Sequence, residues 1–385
     1  MSVLLEVVGV VLLLPGLMAA AHLALLTTAA LFYREWRPLG TAPPVRFLIM
    51  VPAHDEEAVI GPTLAALDRA RRLGDHVLVV ADRCTDRTAE LARNAGAEVF
   101  ERVPGQQPGR AAARQDGLEH ALTLDWDAIV MIDADSIVEP DFFAACEQQL
   151  ASGAGVLQAR SEAASGAGLI AQAYLAAFAV QGVTIPRGRD RLGLSVRLRG
   201  TGMVLRRSLV SQARFRSPAS EDLFYGLDLC LQGVHPRHVE SARLRSANVG
   251  TWRAASDQRV RYETGRILAG REFLPALLRR HSAASLDAAC HLASPPLALA
   301  VLLLLLAAAC FAAAGAVVLA MIGLLGLGLI TYSVLVALIL ARAPLRTWLA
   351  LLAVPCYLVW KLPVQLKALL LVRRRRVHFA GTPRT

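Results

Sequence analysis

Asp133 and Asp135 stand at the end of an apolar, β-type run, Ala128–Ile132, with one alanine between them. In an extended or turning backbone, residues i and i+2 project to the same side, so both carboxylates can converge on one hard cation. Mg²⁺ or Mn²⁺ suits such a site, with water and substrate phosphates completing the shell. Asp55 and Glu56 follow an earlier apolar run, Phe47–Val51, and Asp82 follows another, His76–Val80. Three acid-bearing strand ends point to one polar crevice, because open α/β sheets bind ligands at the carboxyl ends of their strands. An Asp-X-Asp after a strand is equally a common solvated turn, since aspartate favours turns.

The elements that must hold these acids alternate. Helical stretches over Thr63–Leu73 and Ala89–Ala95 separate the first runs, and Glu98–Phe100 reads as a further short strand. The loop Val103–Gly109 precedes a helix through Leu122, which leads back to Ala128–Ile132. Strands alternating with helices predict βαβ units and a mostly parallel sheet. Glu139-Pro140-Asp141 reads as a helix start with proline near its first turn. Gly168–Val183 is an apolar, alanine-rich helix, and the basic stretch Arg187–Arg199 reads as a solvated loop by default and a phosphate or headgroup contact as the sharper option. Gly200-Thr201-Gly202 precedes a strand, Met203–Leu205. Ser220-Glu221-Asp222-Leu223 has the form of a helix start, with serine as cap and acids in the first turn. Gln258, Arg261 and Tyr262 share one face of a helix at i, i+3 and i+4.

Composition sets the surroundings. Apolar residues make up 55% of the 385, and the mean hydropathy of +0.45 is high for a soluble enzyme. Val7–Phe32 contains no Asp, Glu, Lys or Arg, which is long enough to cross a bilayer. It lacks a basic n-region and a cleavage site, so it reads as an anchor and not a signal peptide. Arg34 and Arg37 follow at once, placing this end in the cytoplasm by the positive-inside rule. Leu292–Ala341 is likewise free of those four residue types, enough for two spans, and Arg342 and Arg346 return the chain to the cytoplasm. Pro355, Lys361, Pro363, Gln365 and Lys367 interrupt Trp348–Val372, which therefore reads as interfacial, keeping Arg373–Arg376 inside. The expected order is an anchor over 1–33, a linker over 34–44, a cytoplasmic domain over 45–285, two spans over 290–342, an interfacial or third C-terminal membrane segment over 346–372 and a basic tail over 373–385. The net charge of +10 then suits membrane lipids. With no aromatic-interleaved basic patch and no nucleic-acid motif, no nucleic-acid partner is expected. Six scattered cysteines without a C-x-x-C form neither a disulfide framework nor a zinc site.

With these motifs together, the chain resembles the membrane-anchored, polysaccharide-synthase-like family 2 inverting glycosyltransferases of GT-A fold. The resemblance spans Val45–Gly265. VPAHDEE resembles the family's opening strand and loop, with Asp55 where Asn is usual, implying donor contacts from Pro52, His54 and Glu56. VVADRCTDRTAELA resembles the nucleotide-binding segment and implies that Asp82 meets the uracil or ribose. GRAAARQDGL resembles the next segment, with Arg110 for the usual Lys and Arg114 where an apolar residue is expected. MIDADS resembles the Asp-X-Asp that binds metal and nucleotide-sugar, Asp133 and Asp135. Gly202 falls in the segment lining the acceptor pocket. Glu221-Asp222 matches the motif whose aspartate is the general base, and Gln258, Arg261 and Tyr262 match Q-x-x-R-W with Tyr for Trp.

The resemblance implies a Rossmann-like GT-A domain carried by transmembrane helices in the plasma (inner) membrane. It implies metal-dependent transfer of a hexose or N-acetylhexosamine from a UDP-sugar to a polysaccharide or lipid-linked acceptor. Single-step glycolipid synthesis stays open beside polysaccharide growth. Three spans are few for a self-contained channel, so secretion would require association of copies or a secretion partner. A catalytically silent, nucleotide-binding assembly subunit is the rival from another class, and the intact motif set argues against it. A transporter is disfavoured by the lack of charge within Leu292–Ala341.

Overall fold

The computed structural model describes residues 1–36, 44–107, 109–163, 169–211, 213–216, 219–246 and 252–373. Most of the expected linker, and the tail beyond residue 373, lie outside them. In chain order the elements are α1 (Ser2–Leu31), β1 (Phe47–Ala53), α2 (Ile60–Ala70), β2 (His76–Asp82), α3 (Thr88–Asn94), β3 (Glu98–Arg102) and α4 (Arg110–Ala121). They continue with β4 (Ala128–Met131), β5 (Ser136–Val138), α5 (Phe142–Ala151), β6 (Val156–Ala163), α6 (Leu169–Ala179), α7 (Ile185–Arg191), β7 (Met203–Arg206) and α8 (Arg207–Val210). The remainder are α9 (Glu221–Gln232), β8 (Arg237–Ser246), α10 (Trp252–Arg280), α11 (Ala283–Ala293), α12 (Leu297–Ala313), α13 (Val317–Leu340), α14 (Leu345–Leu349) and α15 (Val354–Arg373).

The chain divides into two compact units. One comprises residues 34–164, 195–266 and 371–385, and the other residues 1–33, 165–194 and 267–370. The continuous domain expected over 45–285 is therefore interrupted, since residues 165–194 and those after 266 group with the apolar helices.

The first unit is built on one sheet of order β3-β2-β1-β4-β7-β6-β8-β5. β1 lies parallel to β2 and β4, and β2 parallel to β3. β7 then enters antiparallel between β4 and β6, so the sheet is parallel over its first four strands and mixed beyond. Side chains alternate across a strand, and here both faces are covered. Phe47, Ile49, Val51, Val79 and Val130 pack with Phe142 and Phe143 on one side. Leu48, Met50, Val80, Ile129 and Met131 pack with Leu118 and Trp126 on the other. That is why β1 and β4 read as continuous apolar runs. Each such buried side chain contributes about 1.5–3 kcal/mol.

Two local expectations are corrected. A short strand, β5, intervenes after the Asp-X-Asp, and the next helix starts only at Phe142, beyond Pro140. Arg187–Arg199 begins as helix α7, in which Arg189 and Asp190 are buried, so the stretch is not a solvated loop.

In the second unit, α1 and α13 are long and apolar enough to cross a membrane, and α11 and α12 are bent by 71° at a short break, counting as one further span if taken together. α15, with its two lysines, does not join them among the described residues. Small residues bring these helices close: a Cβ on Gly16 would lie 2.8 Å from Leu304 Cγ, and one on Gly188 would collide with the Leu26 carbonyl. His22 donates to Asp287 at 2.7 Å, and Arg189 meets the other Asp287 oxygen at 2.8 Å, a buried charged network joining α1, α7 and α11.

Candidate active site

Because β1, β2 and β4 run parallel, their carboxyl ends share one edge, and the acids named by sequence arrive there together. α4 is seated tightly on the sheet beneath them. A Cβ on Gly117 would stand 2.6 Å from Val80 Cγ2 and 3.0 Å from Met50 Sδ, so only glycine permits this approach. Arg110 and Arg114 precede Gly117 on the same helix face at i+3 and i+4 spacing, and the first turn of α4 carries them to the edge.

Arg114 is wholly buried. Its Nη1 donates to Glu221 Oε1 at 2.8 Å, and its Nη2 donates to Asp133 Oδ1 at 3.1 Å and to the Gly200 carbonyl at 2.9 Å. Arg110 Nη2 stands 3.5 Å from Asp133 Oδ2. The Asp133 carboxylate raises the already high pKa of Arg110, with Glu221, Tyr262 and Asp135 adding to it, so Arg110 is a fixed cation. Asp133 and Asp135 are half-buried and set in a tight turn closed by Ser136 N–H donating to the Asp133 carbonyl at 3.0 Å. The Asp133 N–H in turn donates to Thr201 Oγ1 at 3.1 Å.

Glu221 and Asp222 are buried at the start of α9. Ser220 does not cap the helix backbone as expected. Its hydroxyl instead donates to Asp222 Oδ1 at 3.3 Å, and the Leu223 N–H donates to the same oxygen at 2.8 Å. Asp222 Oδ2 points elsewhere: it lies 3.5 Å from where a Cβ on Gly200 would be, a point 3.2 Å from Arg114 Nη2. Gly200 has φ +81°, so a side chain there would be both strained and crowded. Gly202 plays a different part, since its Cβ would meet Leu244 at 2.6 Å and Ala159 at 3.0 Å inside the sheet.

α10 closes against this group. A Cβ on Gly265 would stand 2.5 Å from Ser220 Cβ, and one turn earlier Tyr262 comes within electrostatic reach of Arg110. The Arg261 guanidinium lies 5.2 Å from the Tyr262 ring centroid. Gln258 is half-buried on the same helix.

At the neighbouring strand end, Asp82 is buried and accepts from Arg102 Nη1, and Arg83 Nε donates to it at 3.0 Å. Arg102 also reaches Asp116 Oδ2 at 2.7 Å and the Gln107 carbonyl at 2.8 Å. The His54 Nδ1–H donates to the Asp82 carbonyl at 2.6 Å, and the Glu56 N–H to Thr88 Oγ1 at 2.8 Å. Pro52 lies on β1 opposite Val80. Asp55, Cys84 and Asp86 also cluster, but Asp55 Oδ1 accepts the Thr85 N–H at 2.6 Å and Asp86 Oδ1 the Thr88 N–H at 2.9 Å, bonds that order the turn.

Sequence reasoning missed Arg102 as the partner of Asp82, Thr201 as the acceptor for Asp133, and Gly200 as the spacer beside Asp222. The Arg102–Asp82 pairing follows from parallel register between β2 and β3, which no local motif encodes. Asp133 and Asp135 are carboxylates of the hard type that suits a divalent cation, and here both Asp133 oxygens face arginines. The arrangement also offers an oriented carboxylate at Asp222 and a fixed cation at Arg110 suited to phosphate oxygens.

Residues 43–265 match the family described as glycosyltransferase like family 2. No curated protein matches. Among solved structures, mannosyltransferase PcManGT from Pyrobaculum calidifontis, in complex with GDP-Man and Mn²⁺, superposes with a TM-score of 0.59 at 17% identity, covering 97% of this chain and 99% of that one. Glucosyl-3-phosphoglycerate synthase from Mycobacterium tuberculosis, with Mn²⁺, UDP and phosphoglyceric acid, gives 0.44 at 21% identity, covering 59% of this chain and 78% of that one.

Proposed function

The chain belongs to glycosyltransferase-like family 2, and from that premise we propose that it is a membrane-bound inverting enzyme. It moves a hexosyl or N-acetylhexosaminyl group from a UDP-sugar to a hydroxyl of a glycan or lipid-linked acceptor. The observation that carries this reading is the convergence of two carboxylate pairs, Asp133 with Asp135 and Glu221 with Asp222, around Arg114 and Arg110.

Asp222 is the general base. Its Oδ1 is held by Ser220 and the Leu223 N–H, which fixes the carboxylate and leaves Oδ2 on the side of Gly200. In that position it takes the proton of the acceptor hydroxyl as the oxygen attacks the anomeric carbon. Glu221, pinned by Arg114, keeps the helix start in place. Asp133 and Asp135 are the residues to hold Mg²⁺ or Mn²⁺, which supplies charge neutralisation to the departing diphosphate. Arg110 binds the same diphosphate through its planar fork, Asp82 meets the nucleoside, and Tyr262 with Gln258 and Arg261 walls the acceptor. In-line attack on an α-linked donor gives a β-linked product.

The membrane part of the reading is supported by α1, α13 and the bent α11–α12 pair. Arg34, Arg342 and Arg346 flank the apolar runs, which supports a reading with the catalytic unit on the cytoplasmic face of a multi-pass plasma membrane protein.

The test is nucleoside diphosphate release by the purified full chain in nanodiscs, across a panel of UDP-sugars with and without Mg²⁺ or Mn²⁺. GDP-mannose joins the panel because the mannosyltransferase of similar fold was captured with it. Metal-dependent release with a UDP-sugar, abolished in Asp135→Ala, is the expected result. Release with GDP-mannose alone would overturn the donor assignment, and intact UDP binding without release under any acceptor would favour a silent assembly subunit.

A further inference from the structure

Arg114 stands where the family resemblance leads to an apolar residue, and it is wholly buried. A buried guanidinium is costly unless it is paired, and this one, although its Nε has no partner among the described residues, is engaged by acids from two separate elements. Nη2 bonds Asp133 at the end of β4, and Nη1 bonds Glu221 at the start of α9. The Gly200 carbonyl takes a further bond, and the positive φ of Gly200 leaves room for the fork.

We propose that Arg114 is a positioning residue that couples the donor carboxylates to the acceptor carboxylates by sharing one guanidinium between Asp133 and Glu221. The proposal rests on the glycosyltransferase reading above. A cation held at Asp133 would offset that carboxylate's charge, so more of the guanidinium's attraction would fall on Glu221 and fix it, and Asp222 beside it, for the acceptor. The linkage is reciprocal. If Glu221 loses its charge, Arg114 competes harder for Asp133, and the metal–nucleotide site weakens although Glu221 does not touch it. No steric or packing role for Arg114 makes the donor site respond to a neutral substitution across the cleft.

The test is a double-mutant cycle read by direct calorimetric titration of the full chain in nanodiscs with UDP at saturating Mn²⁺, with no turnover involved. Glu221→Gln is expected to weaken binding about fivefold in the Arg114 protein, and by less than about twofold in an Arg114→Met background. Arg114→Lys keeps a charge but lacks a fork able to bond both acids in this geometry. It carries the same comparison if the methionine variant does not fold. Equal effects of Glu221→Gln in both backgrounds, or no effect in either, would overturn the coupling. Absence of Mn²⁺-dependent UDP binding by the unaltered chain would instead overturn the donor reading, and the coupling with it.

Discussion

The two edges of the parallel strands carry the same residue types and use them differently. At the amino edge, Arg46 pairs with Asp125 and Asp127 in open solvent. Asp75 there accepts the N–H groups of Phe47 and Arg72, both at 2.8 Å, and Glu147 accepts the Val45 N–H at 2.7 Å. These acids close loops by taking up backbone donors. At the carboxyl edge, Asp82, Asp133 and Glu221 instead face buried guanidiniums, Arg102 and Arg114. Charge removed from water and held by fixed partners is oriented before any ligand arrives. The difference separates an edge whose acids take up backbone donors in or near solvent from one whose acids sit against buried cations.

The largest effect is expected at the carboxyl edge. Asp222→Asn keeps the size of the side chain and its hydrogen bonds to Ser220 and Leu223 but removes the base. Turnover should fall about 10²–10⁴-fold, with UDP binding by titration essentially unchanged. Normal turnover would remove Asp222 from the role and weaken the contrast between the edges.

Next comes stability. Arg102→Met leaves the buried Asp82 carboxylate with only the partly exposed Arg83 and should cost about 3–5 kcal/mol, as when one partner of a buried pair is lost. Denaturant midpoints would read it. At the amino edge, Asp75→Ala strands the Phe47 and Arg72 N–H groups and should cost less, about 1–3 kcal/mol. It should leave the donor KM alone. A change in KM would mean that the edges are not separable.

How far could this be read in advance? The strands at Phe47–Val51, His76–Val80 and Ala128–Ile132 were legible because strands covered on both faces have no polar alternation to hide them. The acids at their ends were legible for the same reason, Asp82 and Asp133 being the first polar residues after their runs and Asp55 following one histidine. What escaped were the cations. Arg102 meets Asp82 only through β2–β3 register, and Arg114 meets Glu221 across 107 positions of sequence. Charge runs also mislead locally, since the basic stretch from Arg187 opens as a helix whose Arg189 is paired to Asp287. The antiparallel insertion of β7 between β4 and β6 carried no signal, because a four-residue apolar strand does not declare its direction.

The smallest effect belongs to an exposed pair at the amino edge. Arg46, hydrogen-bonded through its guanidinium and then its backbone N–H, lowers the pKa of Asp127 below the ordinary aspartate value. A carboxylate with a depressed native pKa favours the folded state when ionised. Its contribution is therefore complete above the unfolded-state pKa and is lost as pH falls through the lowered native one. Asp127 is 43% exposed, so water screens the pair and the contribution should be no more than about 1 kcal/mol. In urea unfolding, Asp127→Asn should lie slightly below the unaltered chain at neutral pH, and the two midpoints should merge in acid. The gap should also shrink with added salt, because exposed charges are screened. A gap as large as that of Arg102→Met, insensitive to salt, would place this pair in the same buried class as Asp82 and Arg102 and dissolve the distinction between the two edges.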